Sequence, residues 1–302
     1  MPELPEVQTI VSDLQKILPG LKIGDVWTDW KKMFKNCSFD NFKKEVVGEK
    51  ILNVRRIGKN ILIDLSGNKT ILVHQKMTGH FLYGNWKMPA RLASESVAGG
   101  AKWISEESGP IKDDPQNRFI HLIFDLSNGK QLALSDLRKF AKVLLWPTDK
   151  LSELEDINNL GPDPTAEDFD FNKFQERLVG KKGKIKTVLM DQSVFAGIGN
   201  IYSDEILWLS GIHPMKPVSS LTQKELKSIF TSTKKILKQA LEARGTSDSD
   251  YRDPSGKKGK YQEMLFVYGL EGEKCQKKDG GIITRLKIGG RSAHFCPVHQ
   301  KL

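Results

Sequence analysis

The chain opens Met1-Pro2-Glu3-Leu4-Pro5-Glu6. Methionine aminopeptidase removes an initiator Met before a small residue, so the mature chain is expected to start at Pro2 with a secondary α-amine. Reference α-amines titrate near about 8, roughly two units below lysine, so such an amine is a nucleophile at neutral pH with little help. Attack on a sugar C1′ would give an iminium with no N–H proton to lose; it stays cationic and draws electrons for elimination. Glu3 adjoins the amine and Glu6 follows one helical turn later, where a carboxyl suits proton shuttling. The same residues also suit a plain helix start, with proline in the first turn and acids favoured by the dipole.

Other stretches suit anions or metals. In Gly58-Lys59-Asn60 a lysine precedes an apolar strand, either solvated or aimed at a ligand. Gln192–Tyr202 reads as a glycine turn with Asn200 capping a helix. With Lys181, Lys182, Lys184 and Lys186 just upstream, it also suits a phosphate on a helix N-terminus. Gly289-Gly290-Arg291-Ser292 presents one arginine from a tight turn, suited to a phosphate fork. Cys275 and Cys296-Pro297-Val298-His299 flank a predicted hairpin, and both the Cys-x2-His spacing and the hairpin suit structural zinc. The usual second cysteine is Lys278 here, which leaves either Asp279 as an oxygen ligand or a metal-free hairpin held by packing.

The elements that must position these residues follow from periodicity. Val7, Ile10, Val11, Leu14, Ile17 and Leu18 before Pro19-Gly20 predict a helix over 5–18. Short β-rich runs at 51–56, 60–65, 70–74, 80–83, 118–126, 130–135 and 141–146, separated by turn residues, predict an antiparallel sandwich or barrel. Residues 86–116 carry little periodicity and exceed hairpin lengths, which predicts a mobile insertion. The pattern turns helical after Leu151, with Leu160-Gly161-Pro162-Asp163-Pro164 expected as a linker. Thr222-x-x-Glu225 is a capping box heading a helix with Gly245 at its C′ position. Two short strands near 282–287 and 293–295 end the chain. The expected class is α+β: an N-terminal antiparallel β-sandwich domain flanked by helices over 1–150, a helical domain over 160–262 and a β-hairpin finger over 263–302.

Composition bounds the partners. Lys+Arg 47 against Asp+Glu 37 gives +10 over 302 residues, which favours polyanions such as nucleic acid or anionic membrane. No apolar run approaches the ~18–20 residues of a membrane span, and the start is not a basic-then-apolar leader, so a cytosolic location is expected. Three cysteines argue against a disulfide framework, and Cys37 is expected to be an ordinary thiol.

Taken in order, Met1–Val7, Gly58-Lys59, His74-Gln75-Lys76-Met77-Thr78-Gly79, Asp136-Leu137-Arg138-Lys139-Phe140, Leu160-Gly161-Pro162, Asp191–Tyr202, Val267-Tyr268-Gly269 and Gly289–Pro297 resemble the formamidopyrimidine-DNA glycosylase and endonuclease VIII family over nearly the whole chain. The resemblance implies a bifunctional base-excision enzyme with a β-sandwich, a helix-two-turn-helix domain and a zinc or zincless finger. By position, Pro2 is then the Schiff-base nucleophile, Glu3 the proton shuttle, and Lys59 a phosphate contact that assists catalysis. Asn200 and Arg291 are paired phosphate contacts, Arg291 counting with the catalytic set. Glu6, a nearby structural carboxylate, is grouped with His74 and Lys186 among the DNA-binding residues. Met77, Arg138 and Phe140 match the wedge that fills the gap behind a flipped nucleotide, whose extrusion costs a few kcal/mol.

Residues 245–262 resemble the loop that caps oxidised purines in the formamidopyrimidine branch. This favours 8-oxoguanine and formamidopyrimidines, with strand cleavage by β,δ-elimination. An endonuclease VIII-like enzyme for oxidised pyrimidines and a non-catalytic damage-binding protein are the alternatives. The expected partner is damaged double-stranded DNA, without membrane. A monomer near the nucleoid is expected, with one structural zinc on Cys275, Asp279, Cys296 and His299. Three departures from the family pattern are the insertion, Leu137 in place of the usual proline, and Lys278.

Overall fold

The computed structural model describes residues 1–88, 103–247 and 250–302; residues 89–102 of the expected insertion, and Asp248 and Ser249 of the expected capping loop, lie outside the described residues. Two compact units emerge: Met1–Leu154 with Arg244–Lys260, and Glu155–Ala243 with Tyr261–Leu302. No helix among the described residues is long and apolar enough to cross a membrane.

The first unit starts with α1 (Leu4–Ile17), whose apolar stripe of Val7, Ile10, Val11 and Leu14 is buried. Next come β1 (Ile23–Thr28), α2 (Phe39–Val46), β2 (Ile51–Ile57), β3 (Asn60–Leu65), β4 (Lys69–His74), β5 (His80–Gly84), β6 (Trp86–Lys87) and β7 (Ile104–Ser105). β8 (Ile120–Leu126), β9 (Gln131–Ser135) and β10 (Lys142–Pro147) complete it. Two four-stranded sheets, ordered β1-β8-β9-β5 and β10-β4-β3-β2, are antiparallel throughout. They are the expected sandwich. Phe81, Phe124 and Leu134 of one sheet meet Ile61, Ile63, Val73 and Val143 of the other in one core with α1 and α2. Alternation along the strands turns Leu82, Ile123 and Ala133 to the opposite face of the first sheet.

That opposite face is covered by the flanks of the insertion. Trp86 pairs with Ser105 across the short β6–β7 ribbon. Trp86 and Ile111 are buried against Leu82, Ile120 and Ile123. Trp86 Nε1–H donates to Asn117 at 2.9 Å, and Asn117 Nδ2 donates to the Ile111 carbonyl at 2.8 Å. The expectation of a mobile insertion is therefore corrected for 86–88 and 103–116: they pack, because an apolar sheet face needs a cover.

The second unit holds α3 (Glu155–Asn158), α4 (Phe171–Leu178), α5 (Ile185–Met190), α6 (Asn200–Ser210), α7 (Gln223–Glu242) and the hairpin of β11 (Thr284–Ile288) and β12 (Arg291–Phe295). Thr222 and Glu225 close the expected capping box of α7. The other end differs by one residue: Ala243 is the C-cap, and Arg244 adopts φ +62° ahead of Gly245 at +81°. Ion pairs to Asp13 and Asp253 hold Arg244 in this left-handed conformation.

Two boundaries move. The segment expected as a linker is packed, with Gly161 N–H on the Gln192 carbonyl at 2.9 Å and Ala196 N–H on the Pro162 carbonyl at 3.1 Å. Arg244–Lys260 leaves the helical unit for the sandwich unit because Tyr251 joins the sandwich core, and the finger folds with the helices.

Candidate active site

In the first unit the chemistry-bearing residues gather at the start of α1. Pro2, Glu3 and Glu6 are buried, Glu3 2% and Glu6 1% exposed. Glu3 N–H donates to Glu6 Oε2 at 2.7 Å within a capping box, so the acid beside Pro2 is fixed by the helix it starts. The other oxygen of Glu6 accepts the Thr246 N–H at 2.7 Å. With both oxygens on backbone N–H groups, Glu6 has the structural part of its expected role and ties α1 to the 244–260 segment.

Lys59 sits at the tip of the β2–β3 hairpin, where Ile57 pairs with Asn60 and Gly58 supplies the left-handed φ of +58°. Arg56 aims the tip by donating to the Gly58 carbonyl at 2.9 Å and to Gln8 of α1 at 2.8 Å. Lys59 is 6% exposed, so this lysine is not a solvated surface charge. His74 pairs in register with Asn60 on one side and Lys142 on the other, at the Lys59 end of the sheet.

The expected wedge residues come from two loops joined by one hydroxyl. Thr78, next to half-buried Met77, donates to Asp136 and accepts the Arg138 N–H at 3.0 Å. Asp136 also accepts the Ala141 N–H at 2.7 Å. Arg138 and Phe140 are exposed, with the guanidinium 4.6 Å from the ring centroid, a ready apolar and cationic pair. Leu137, at the family's usual proline position, is 44% exposed and leaves this turn intact.

In the second unit Asn200 is the first residue of α6, behind Gly197 at φ +100°. Gln192 braces that turn, accepting the Gly197 N–H at 2.9 Å and donating to the Ile198 carbonyl at 2.7 Å. Asn200 Oδ1 has no partner among the described residues. Arg291 is exposed at the start of β12, after Gly289 and Gly290 at φ +56° and +78°, the pair of positive values a type I′ turn demands. Lys186 corrects the expectation of a phosphate contact. It is fully buried, with Nζ on Asp204 Oδ1 at 2.5 Å, Ser203 at 3.2 Å and the Asn200 carbonyl at 3.3 Å.

Cys275, Asp279, Cys296 and His299 converge, their ligating atoms all within 4.8 Å of one another. Cys275 Sγ lies 3.7 Å from His299 Nδ1, and Cys296 Sγ lies 3.5 Å from Asp279 Oδ2. Bond lengths of ~2.0–2.3 Å place tetrahedral ligands roughly 3.3–3.8 Å apart, so these separations fit zinc. His299 Nδ1 meets Asp279 Oδ2 at 2.7 Å, a direct hydrogen bond a metal would part. A Cβ on Gly281 would lie 2.2 Å from Cys296 Sγ, so the glycine keeps the thiol's space open. Burial pushes the Cys296 thiol up, while the Gly281 N–H holds Asp279 below its usual range.

Residues 1–143 match the formamidopyrimidine-DNA glycosylase N-terminal domain, and 160–251 match the formamidopyrimidine-DNA glycosylase H2TH domain. The chain is 38% identical to the formamidopyrimidine-DNA glycosylase of Pelotomaculum thermopropionicum over 100% of both chains. It is 36% identical to that of Herpetosiphon aurantiacus over 99% of this chain and 100% of the other. The chain belongs to the formamidopyrimidine-DNA glycosylase family. Among solved structures of that family, the Lactococcus lactis Fpg complexed with abasic-site DNA superposes with TM-score 0.83 and 33% identity, over 99% of this chain and 100% of that one. The wild-type L. lactis protein complexed with N7-benzyl-Fapy-dG DNA gives the same TM-score, 0.83, over 100% of both chains.

The glycosylase fold also uses residues the sequence reading passed over. Asp204 joins Lys186 to β12, its Oδ2 accepting the His294 N–H at 2.9 Å. Glu205 accepts the N–H groups of Phe266, Val267 and Tyr268 at 2.9, 3.0 and 2.9 Å. Burial raises its carboxyl to about 7 against those donors. Thus α6 carries Asn200 at its start and, one turn on, the two acids that fasten the finger bearing Arg291. The available signal was an Asp-Glu pair inside the apolar helix Ile201–Trp208, where acids need buried partners.

Proposed function

We propose that this protein is a bifunctional DNA glycosylase and abasic-site lyase that excises oxidised purines, 8-oxoguanine and formamidopyrimidines, from double-stranded DNA. The observation that carries the reading is the buried start of α1, where Glu3 is locked beside Pro2 and the Lys59 hairpin is tied to the same helix through Arg56 and Gln8. Removal of Met1, which is 38% exposed, frees the Pro2 nitrogen. That nitrogen attacks C1′ of the damaged nucleotide as the base leaves, and Glu3 manages the protons. The iminium then drives β-elimination and δ-elimination, cleaving the strand on both sides of the sugar.

Net charge +10 and the anion-suited tips at Lys59, Asn200 and Arg291 support binding to the phosphates, and His74 is proposed with them. Met77, Arg138 and Phe140 fill the stack after extrusion. The 244–260 segment, held to Glu6, supports a cap over the extruded base and so favours oxidised purines. Cys275, Asp279, Cys296 and His299 would hold one zinc, which would supply structure to the finger and no chemistry. The protein is read as a monomer working in the cytoplasm at the nucleoid.

Borohydride trapping tests the whole reading on duplexes carrying 8-oxoguanine, a formamidopyrimidine, 5-hydroxyuracil or an abasic site. The expected result is a covalent adduct on Pro2 with the two purine lesions and the abasic site. An adduct mapped to Lys59 overturns the nucleophile; trapping confined to 5-hydroxyuracil and abasic DNA overturns the substrate class.

A further inference from the structure

The insertion does more than cover a sheet. Its return limb, residues 111–116, grips the segment Arg244–Lys260 at three places. Arg252 Nε–H donates to Asp114 Oδ2 at 3.1 Å, with the two side chains 10% and 3% exposed. Gln116 Nε2 reaches Asp250 at 3.4 Å. Gly256, at φ +80°, lets the two backbones touch: a Cβ there would lie 2.9 Å from Ile111 N and Cα. From β5, the Tyr83 N–H adds a bond to the Pro254 carbonyl at 2.8 Å.

The other side of the limb holds the wedge. The Gln116 carbonyl accepts the Ser135 hydroxyl at 2.7 Å, and the Phe119 carbonyl accepts the Asp136 N–H at 2.9 Å. Asp136 in turn fixes Arg138 and Thr78. Asp114 also caps its own turn, accepting the Gln116 N–H at 2.9 Å, so the carboxylate that meets Arg252 is preset.

We propose that Asp114 and Arg252 are positioning residues: a clamp built from the insertion presets the base-capping segment and thereby sets affinity for the extruded base. This rests on the function proposed above. An exposed ion pair would add little, but removing the carboxylate from a buried one leaves the Arg252 guanidinium, which also donates to the Tyr251 carbonyl at 2.9 Å, without its counter-charge and loosens it in its site. The segment then loses its preset form, and a substrate that needs a base cap pays the ordering cost on binding. An abasic site has no base to cap and is insensitive to the clamp.

The test uses full-length Asp114→Asn, the milder Gln116→Ala and the conservative Asp114→Glu. Two readouts are taken: hydrogen exchange of the 250–256 amides, and steady-state kinetics on 8-oxoguanine and abasic duplexes. In Asp114→Asn the amides should exchange about tenfold faster, and KM for 8-oxoguanine DNA should rise about tenfold, the ratio that ~1.4 kcal/mol gives. The lesion kcat and both abasic constants should stay within about twofold, Gln116→Ala should lie between, and Asp114→Glu should recover most of the loss. Unchanged exchange overturns the clamp, as does an equal rise in KM on both duplexes. If the wild type leaves 8-oxoguanine untouched, the functional reading fails, and the exchange rates alone decide whether the clamp exists.

Discussion

Glu6 Oε1 occupies the space that a side chain on Gly245 would need: a Cβ there would lie 2.6 Å away, while the same oxygen takes the Thr246 N–H at 2.7 Å. Because Glu6 Oε2 is held by Glu3, the carboxylate cannot swing aside. Gly245→Ala therefore meets a steric conflict as well as strain at φ +81°. The expected cost is about 2 kcal/mol or more, read as a lowered unfolding midpoint in urea.

Lys186 and Arg291 should separate cleanly in salt titrations. Arg291→Ala is expected to weaken DNA binding and lower the salt slope by about 1, whereas Lys186→Met leaves the slope intact. Lys186→Met instead removes the cation paired with the buried Asp204 carboxylate, which keeps the His294 N–H, for a stability loss of about 3–5 kcal/mol in denaturant titrations.

Glu205 predicts a pH dependence. Its folded value of about 7 lies above the reference 4.5, so the native state holds the proton more tightly than the unfolded chain. Stability from this group is fully present below about 4.5, is lost as pH rises towards about 7, and is flat beyond, with a total on the order of 3 kcal/mol. Urea unfolding across that range should show the decline in the wild type and lack it in Glu205→Gln.

Glu3→Gln keeps the shape of the side chain and removes its titrating proton. Excision of 8-oxoguanine should fall by about 10²–10⁴, with DNA affinity nearly unchanged. Parallel losses of both would make Glu3 a binding residue.

For the finger, elemental analysis of protein purified without chelator should find about one zinc per chain. Three good ligands with one carboxylate hold the metal less firmly than four thiolates, so Asp279→Cys should slow its loss to a chelator. Absence of zinc in both proteins would leave the cluster as the hydrogen-bonded packing of Asp279 and His299.

Much of the sandwich was legible because its strands alternate and its turns carry Gly and Asn; the observed β3, Asn60–Leu65, has the expected bounds. β1 escaped notice because a bulge between Ile23 and Asp25 breaks its alternation, and α2 because it is eight residues with two buried side chains. Lys186 was misread since a lysine run looks solvated, and only the fold reveals that one member faces Asp204. The clamp was illegible for a different reason: Asp114 and Arg252 lie far apart in sequence, and neither belongs to a periodic element.

The sandwich unit draws its last piece, Arg244–Lys260, from beyond the helices of the other unit. During synthesis, therefore, the ribosome must release all of α7 before Tyr251 can enter the sandwich core and Thr246 can meet Glu6. Until then the core lacks the Tyr251 ring, and the Glu6 carboxylate beside Pro2 lacks the Thr246 N–H. The buried start of α1 is thus completed late, when most of the chain already exists, and a truncated product ending before residue 244 would leave it unfinished.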